Sequence, residues 1–405
     1  MSSSVLFLSW ESPWPPHSGA TLRTYGLLKE ISREFPVELV ILSRRGLSAE
    51  QQDVLVRCAQ RITVVPLPDL RSIDKVRLLV YMLRHKKPYH CALLDFALRR
   101  HPAAYRPIRQ FSGIVYASFG HWGTMVTDGP APNWILDQHN ADVHFWHAYA
   151  SQVSNPLIKL AALLNWRLAH SHFPLIYNRI NHVVSVCEED KILTQAIQPK
   201  LNVEVIENGI DSSHFAPNRD ENRTYQRILF TGTSAARNMT ALHQFVRDVL
   251  PLIQRDIPRI ELLVGGNFSR DAQAEFASYP SIRFTGWVED MRPLYNRSDV
   301  YIAPFQKTHG SKLKIAEAMA MGMPIVSTPA GVRGFPLVNG LSVAIAESNE
   351  QFARHVIDLL RDPSRREQMG RLARETALET IDWRVLGKRL RSIIGRVQNN
   401  LSADA

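Results

Sequence analysis

Lys312, Lys314 and Glu317 fall close together in the stretch THGSKLKIAEAMAMGMPIVSTPAG, from Thr308 to Gly331. Two cations and a carboxylate at this spacing could neutralise a diphosphate and accept hydrogen bonds from sugar hydroxyls. His309, Gly310 and Ser311 precede them as a short loop, and the spacing predicts a helix from about Ser311 to Met321. Ser311 is a candidate N-cap, and the Ala, Met, Leu and Lys that follow are good helix formers. A glycine-containing loop at a helix start aims free N–H groups and the positive end of the dipole outward, which favours phosphate. Together these features suit a nucleotide-diphosphate sugar, with Gly310, Ser311, Lys314 and Ile315 lining the donor. The same lysines and glutamate also read as the solvated face of a helix.

The order of parts narrows the choice. The helix is followed by a turn at Gly322-Met323-Pro324, a buried strand Ile325-Val326-Ser327 and a second glycine loop at Ala330-Gly331-Val332. This segment resembles the C-terminal signature of family 4 glycosyltransferases. There a pair of glutamates is common: Glu317 matches the second, and His309 stands at the first. The run from Lys312 to Ala318, KLKIAEA, fits the basic-Leu-Lys-Ile-x-Glu-Ala variant of that signature. The resemblance implies an α/β chain of GT-B architecture, two Rossmann-like domains facing across a cleft. It also implies a retaining hexosyltransferase that moves sugar from a nucleotide-diphosphate donor to a glycan or lipid-linked acceptor, with Lys312 and Glu317 among the catalytic residues.

At 405 residues the chain has length for two domains with separate cores. Hydrophobic content of 45% and charged content of 21% are those of an ordinary globular protein. Cys58, Cys91 and Cys187 are scattered, with no CxxC pair, which points to a reducing compartment and away from a structural zinc. The N-terminal MSSSVLFLSW lacks a basic region before its apolar run, and no apolar stretch is long enough to cross a bilayer. The expected location is cytoplasmic, peripheral on the inner face of the plasma membrane. The formal charge of +10 is concentrated between Arg71 and Arg109, where ten Lys/Arg face two acidic residues. No helix-turn-helix, RNA-binding or zinc-finger pattern accompanies it, so nucleic acid is not an expected partner. RSIDKVRLLVYMLRHKK reads as a basic amphipathic helix, for which an anionic membrane surface and a plain solvated face are the two explanations.

The positioning elements follow from periodicity. Val5 to Ser9 is a buried strand, followed by a loop holding Gly19 and a helix from about Thr21 to Phe35. A ligand of such a unit sits over the carboxyl ends of its strands. Gly19, between Ser18 and Ala20, would let backbone approach a sugar or phosphate; it also reads as an ordinary βα turn. Pro15 to Arg23 resembles the family's Pro-x-x-Gly-Gly-x-x-x-Arg loop, with Ala20 at the second glycine. Apolar runs at Val37–Leu42, Ile62–Leu67, Gly113–Ala117, Ile135–Asp137, His182–Val186 and Val203–Ile206, separated by helical stretches, argue for a parallel sheet covered on both faces. His139 and Asn140 end one strand at the rim; a histidine there serves as a hydrogen-bonded loop residue or, by the resemblance, faces the donor sugar as a catalytic group. The helical stretch Asp142–Asn178, rich in Trp and His, fits core packing or an acceptor or membrane contact.

The first domain is expected over 1–215, joined by a C-terminal helix at about 383–405, and the second over 223–382. In the second, a strand from Arg227 runs into Gly232, and Arg237 and Asn238 sit just before a helix reaching about Gln254. Phosphate over this helix start is physically reasonable; an exposed loop arginine is the alternative. Strands at Ile260–Gly266 and Ile282–Val288 follow, with Val288 a candidate to hold the base through its backbone, and then Val300–Phe305. No Asp-x-Asp and no His or carboxylate cluster at metal-ligand spacing stands out, so no metal or other cofactor is expected. Lys312, Lys314, Arg237 and a helix N-terminus would then stabilise the leaving diphosphate. A nucleotide-sugar epimerase and a non-catalytic nucleotide-sugar-binding scaffold are the alternatives.

Overall fold

The computed structural model describes residues 4–67, 71–126, 129–140, 142–153, 155–218, 226–306 and 313–403. They form two units, Met1–Glu207 with Leu386–Ala405, and Asn208–Val385. His309, Gly310, Ser311 and Lys312 lie outside the described residues.

The first unit is built on seven strands: β1 (Val5–Ser9), β2 (Val37–Ser43), β3 (Arg61–Pro66), β4 (Ile114–Ser118), β5 (Trp134–Gln138), β6 (His182–Ser185) and β7 (Asn202–Val205). They pair in parallel in the order β3-β2-β1-β4-β5-β6-β7, with Val5 in register with both Val37 and Ile114. A parallel sheet is covered on both faces, which is why β1, β4 and β5 are buried along their whole length. The helices are α1 (Gly19–Ile31), α2 (Ala49–Leu55), α3 (Ser72–His85), α4 (Tyr89–Arg99), α5 (Pro102–Gln110), α6 (Asp142–Gln152), α7 (Pro156–Tyr177) and α8 (Glu188–Ile197). Ser18 caps α1 through a reciprocal pair, its hydroxyl accepting from the Thr21 N–H and Thr21 answering its own N–H. The cap pulls the helix start forward, so Gly19 is the first helical residue and not part of a loop. The helix ends at Ile31, short of Phe35. Strand order reverses between β1 and β4, and the carboxyl ends there are where such a sheet binds ligand.

The second unit repeats the plan with β8 (Arg227–Thr231), β9 (Glu261–Gly265), β10 (Ile282–Phe284), β11 (Val300–Ala303), β12 (Ile325–Ser327) and β13 (Ala344–Ile345). All pairs are parallel, in the order β10-β9-β8-β11-β12-β13, so the reversal lies between β8 and β11. α9 (Ala236–Gln244) passes through a π turn at Phe245–Val249 into α10 (Leu250–Asp256). The expected single helix is interrupted because Pro251 has no N–H to donate to the Arg247 carbonyl. β10 stops short of Val288; Gly286 turns the chain at φ +69° soon after its end. Then come α11 (Arg270–Ala274), α12 (Arg292–Asn296), α13 (Leu313–Ala320), α14 (Asn349–Arg361) and α15 (Pro363–Thr380). Two residues beyond α13, Gly322 turns the chain at φ +59°, and its carbonyl lies so close to Gly370 of α15 that a Cβ there would sit 2.1 Å from it.

Residues 208–215, expected to close the first domain, group with the second unit. Ile210 donates to the Ile381 carbonyl at 2.9 Å and accepts from Trp383 at 3.1 Å, and Arg374 donates to the Phe215 carbonyl at 2.9 Å. The last helix, α16 (Trp383–Ala403), belongs from Leu386 onward to the first unit. There Leu386, Leu390, Ile394 and Val397 are buried. Arg391 bonds Glu30 at 2.9 Å and Glu34 at 2.7 Å, and Gly387 leaves no room for a side chain against Glu30.

Candidate functional site

In the first unit the carboxyl end of β5 is tied down by a buried ion pair. Arg23 lies four residues before Leu27 and eight before Ile31, on the inward face of α1. Its Nη2 reaches Asp137 Oδ1 at 2.6 Å and its Nε reaches Oδ2 at 3.0 Å. Nη1 donates to the carbonyls of Ile206 at 2.7 Å and Glu207 at 3.0 Å. The guanidinium fork thus joins α1, β5 and the segment leaving β7. Burial alone would raise the Asp137 pKa; the Arg23 charge and the hydrogen bonds of His139 and Arg23 outweigh it and hold the carboxylate below its ordinary range.

Two residues on, His139 Nε2 lies 3.4 Å from Asp137 Oδ2 and 3.1 Å from Ser118 Oγ, which in turn bonds Thr24 at 2.9 Å. Burial lowers the His139 pKa more than Asp137 raises it, so the ring is neutral at pH 7. Facing a carboxylate, Nε2 carries the proton, and Nδ1 is left as an acceptor for a hydroxyl. The ring stacks on Phe119 at 3.9 Å, and Phe119 holds φ +88°, a costly conformation for an aromatic residue. Phe119 also stacks on His121, whose buried Nε2 has no partner among the described residues.

In the second unit Lys314 Nζ donates to the Thr231 carbonyl at 2.7 Å and to Asn238 Oδ1 at 3.1 Å, over the rings of Phe305 and Phe230. This ammonium stands at the carboxyl end of β8, beside the strand-order reversal. Asn238, buried in the first turn of α9, also donates to the Thr233 carbonyl at 3.0 Å. Backbone closes in around it: Gly232 donates to the Gly265 carbonyl at 2.9 Å, and a Cβ on Gly266 would lie 2.1 Å from the Gly232 oxygen. One turn after Lys314, Glu317 accepts from the buried Tyr295 hydroxyl at 2.8 Å through Oε2. Oε1 has no partner among the described residues. Burial raises the Glu317 pKa; the Tyr295 hydrogen bond and then the Lys314 charge oppose it.

The structure thus groups Gly232, Asn238, Lys314 and Glu317 in one unit and places His139 in the other. Arg237 is in the first turn of α9, exposed, and not in a preceding loop. Val288 is half-buried in the segment after β10. The side chain of Ile315 is fully buried and packs in the core of the second unit. Sequence reasoning left Arg23, Asp137, Phe119 and Tyr295 without roles. Of these, only Arg23 carried a signal, a lone charge at the spacing of an apolar helix face. Among the described residues no cluster of His, Cys, Asp and Glu could hold a metal ion, and no helix is long and apolar enough to cross a membrane.

Residues 225–362 match the family described as glycosyl transferases group 1. The chain carries this match within its second unit, Asn208–Val385. It is 26% identical over 223 residues to a GDP-mannose-dependent alpha-(1-6)-phosphatidylinositol monomannoside mannosyltransferase of Mycolicibacterium smegmatis, a match covering 49% of this chain and 58% of that one. The curated relatives it matches are spanned over 29% to 58% of their own lengths. Among solved structures, the sucrose-phosphate synthase of Thermosynechococcus elongatus superposes with TM-score 0.66 at 14% identity, covering 99% of this chain and 100% of that one. HepE of Anabaena, in complex with UDP and glucose, superposes with TM-score 0.63 at 11% identity, covering 97% and 99%. At such identities the likeness is one of fold. The chain has the GT-B fold, two Rossmann-like units each carrying its own parallel sheet.

Proposed function

We propose that this chain transfers a sugar from a nucleotide-diphosphate sugar to a glycan or lipid-linked acceptor hydroxyl, with retention and without a metal ion. The observation that carries this reading is the Lys314–Thr231–Asn238 bracket beside Glu317 at the strand-order reversal of a group 1 glycosyl transferase unit. Transfer breaks the bond between the anomeric carbon and the diphosphate oxygen, and a new bond forms from that carbon to the acceptor oxygen on the same face. The acceptor proton leaves on the departing diphosphate. Charge building on that diphosphate is met by the Lys314 ammonium, held in place before the reaction begins. Lys312 is assigned a second cation on its sequence position, with His309, Gly310 and Ser311 beside it. Glu317 Oε1 accepts from ribose hydroxyls, the Gly232 segment admits the phosphates close to backbone, and Arg237 and Val288 complete the donor contacts. Gly19 and neutral His139, through Nδ1, are assigned to the transferred sugar.

A donor panel tests this. Purified protein is titrated with UDP-, GDP- and ADP-sugars, with and without a chelator, and its melting temperature is followed. One donor should stabilise the protein in both conditions, and Glu317→Ala should abolish the effect. Turnover of that donor, with the anomer of the product determined, then reads transfer and retention. Stabilisation without turnover in any acceptor mixture would replace the reading with a non-catalytic scaffold, and a 2-epimerised nucleotide sugar would replace it with an epimerase. Silence from every donor would overturn it.

A further inference from the structure

α3 is an amphipathic helix whose second apolar face has nothing on it among the described residues. Leu78 and Met82 point inward and pack with Leu93 of α4 and with Leu164 and Leu168 of α7. Yet Ile73, Val76, Leu79, Val80 and Leu83 are between 45% and 61% exposed. At roughly 100° per residue these five cover an arc of roughly 120°, on the side opposite Leu78 and Met82. The cations fall on its two edges: Arg77 and Arg84 on one, Lys75 and Lys86 on the other. Asp74 is the helix's one acid, and it is already met by Arg77 at 4.0 Å and Arg100 at 3.6 Å.

α7 also exposes apolar side chains. Leu157 and Leu160, 76% and 66% exposed, extend the stripe of Leu164 and Leu168 that packs against α3. No acidic residue occurs between Val143 and Cys187. A monomer rarely leaves a contiguous patch of this kind uncovered without a use for it.

We propose that the outer face of α3 lays the first unit on an anionic lipid bilayer. The five apolar side chains enter the acyl boundary, and the flanking cations stay among the headgroup charges. A second copy of the chain fits worse, because a symmetric pairing of this face would bring its own cations against their equivalents. The inference rests on the transfer reading only in that a lipid-linked acceptor would be presented at such a surface; binding itself is read without donor or acceptor.

The test is co-sedimentation of the full chain with vesicles of phosphatidylcholine alone and of phosphatidylcholine mixed with phosphatidylglycerol, at low and high salt. Binding should require phosphatidylglycerol and weaken with salt. Val76→Asp with Val80→Asp should reduce it roughly tenfold or more. Lys75→Gln, Arg77→Gln and Arg84→Gln together should reduce it on the order of a hundredfold. Both sets alter exposed side chains, and unchanged melting temperatures and donor-induced shifts would show that fold and donor site are intact. Absence of binding to either vesicle, or binding that neither set diminishes, overturns the proposal. So does a dimer by light scattering that Val76→Asp with Val80→Asp dissociates, since it would assign the face to a second copy.

Discussion

Replacing Arg23 with Met tests whether a buried ion pair holds the rim of the first unit together. The substitution keeps much of the side-chain volume but leaves Asp137 charged, 0% exposed and without its cation, and strips the Ile206 and Glu207 carbonyls of their donor. Breaking one side of such a pair costs about 3–5 kcal/mol. At about 2–4 °C per kcal/mol for a unit of this size, the melting transition should fall by roughly 6–20 °C. The loss should also depend on pH in a defined direction. Without Arg23, burial lifts the folded-state pKa of Asp137 above its unfolded value, so the folded state binds the proton more readily. Stability should therefore recover as pH falls toward that raised pKa, and be poorest at and above neutrality. Adding Asp137→Asn should return part of the loss by removing the stranded charge, with a coupling of about 0.5–3 kcal/mol. Thermal and urea unfolding followed by circular dichroism, from pH 5 to pH 8, measure all three. A single Arg23→Met variant that melts within about 2 °C of the parent, or a double variant no better than the single, would refute the reasoning.

Lys314→Met should strand the Thr231 carbonyl and Asn238 Oδ1, costing about 1–3 kcal/mol in unfolding experiments, and should lower turnover tenfold or more in a donor-consumption assay. Tyr295→Phe removes a hydrogen bond that holds the Glu317 pKa down, so the acid limb of a donor-binding profile should move to higher pH. His172 is buried and its pKa is pushed down to about 4, chiefly by burial and then by Lys87. Its folded pKa is below its unfolded one, so stability should be flat above about pH 6.5 and fall by up to about 3 kcal/mol toward pH 4; His172→Gln should flatten that slope. Gly370→Ala drives a Cβ to within 2.1 Å of the Gly322 oxygen and should destabilise the protein by about 1–3 kcal/mol in urea titrations.

What could be read from sequence was what is encoded locally. Val5–Ser9, Val37–Leu42 and Val300–Phe305 announce buried strands because a parallel sheet needs unbroken apolar runs. Lys314 and Glu317 stood out because one short element carries both. The Arg23–Asp137 pair was not legible, since its halves are 114 residues apart and nothing near either one specifies the other. That the Ile315 side chain turns into the core was not legible, because the rotation of its helix is set by packing. Periodicity identified α3 as amphipathic, but Leu78 and Ile73 are equally apolar. Which of the two faces inward is decided by α4 and α7, not by α3 itself.

The return of α16 to the first unit gives the chain an order in time. A ribosome releases residues 1–207 long before the segment from Leu386 that completes their fold. The whole second unit must be made in between, which at ordinary elongation rates takes of order ten seconds or more. Throughout that interval Glu30 and Glu34 lack Arg391, and the surface that will receive Leu390 and Ile394 is bare. The nascent first unit therefore exposes that surface for the whole interval, and the second unit is the one able to finish folding first. A stalled or truncated chain that ends before Leu386 would release a folded second unit attached to a first unit prone to self-association.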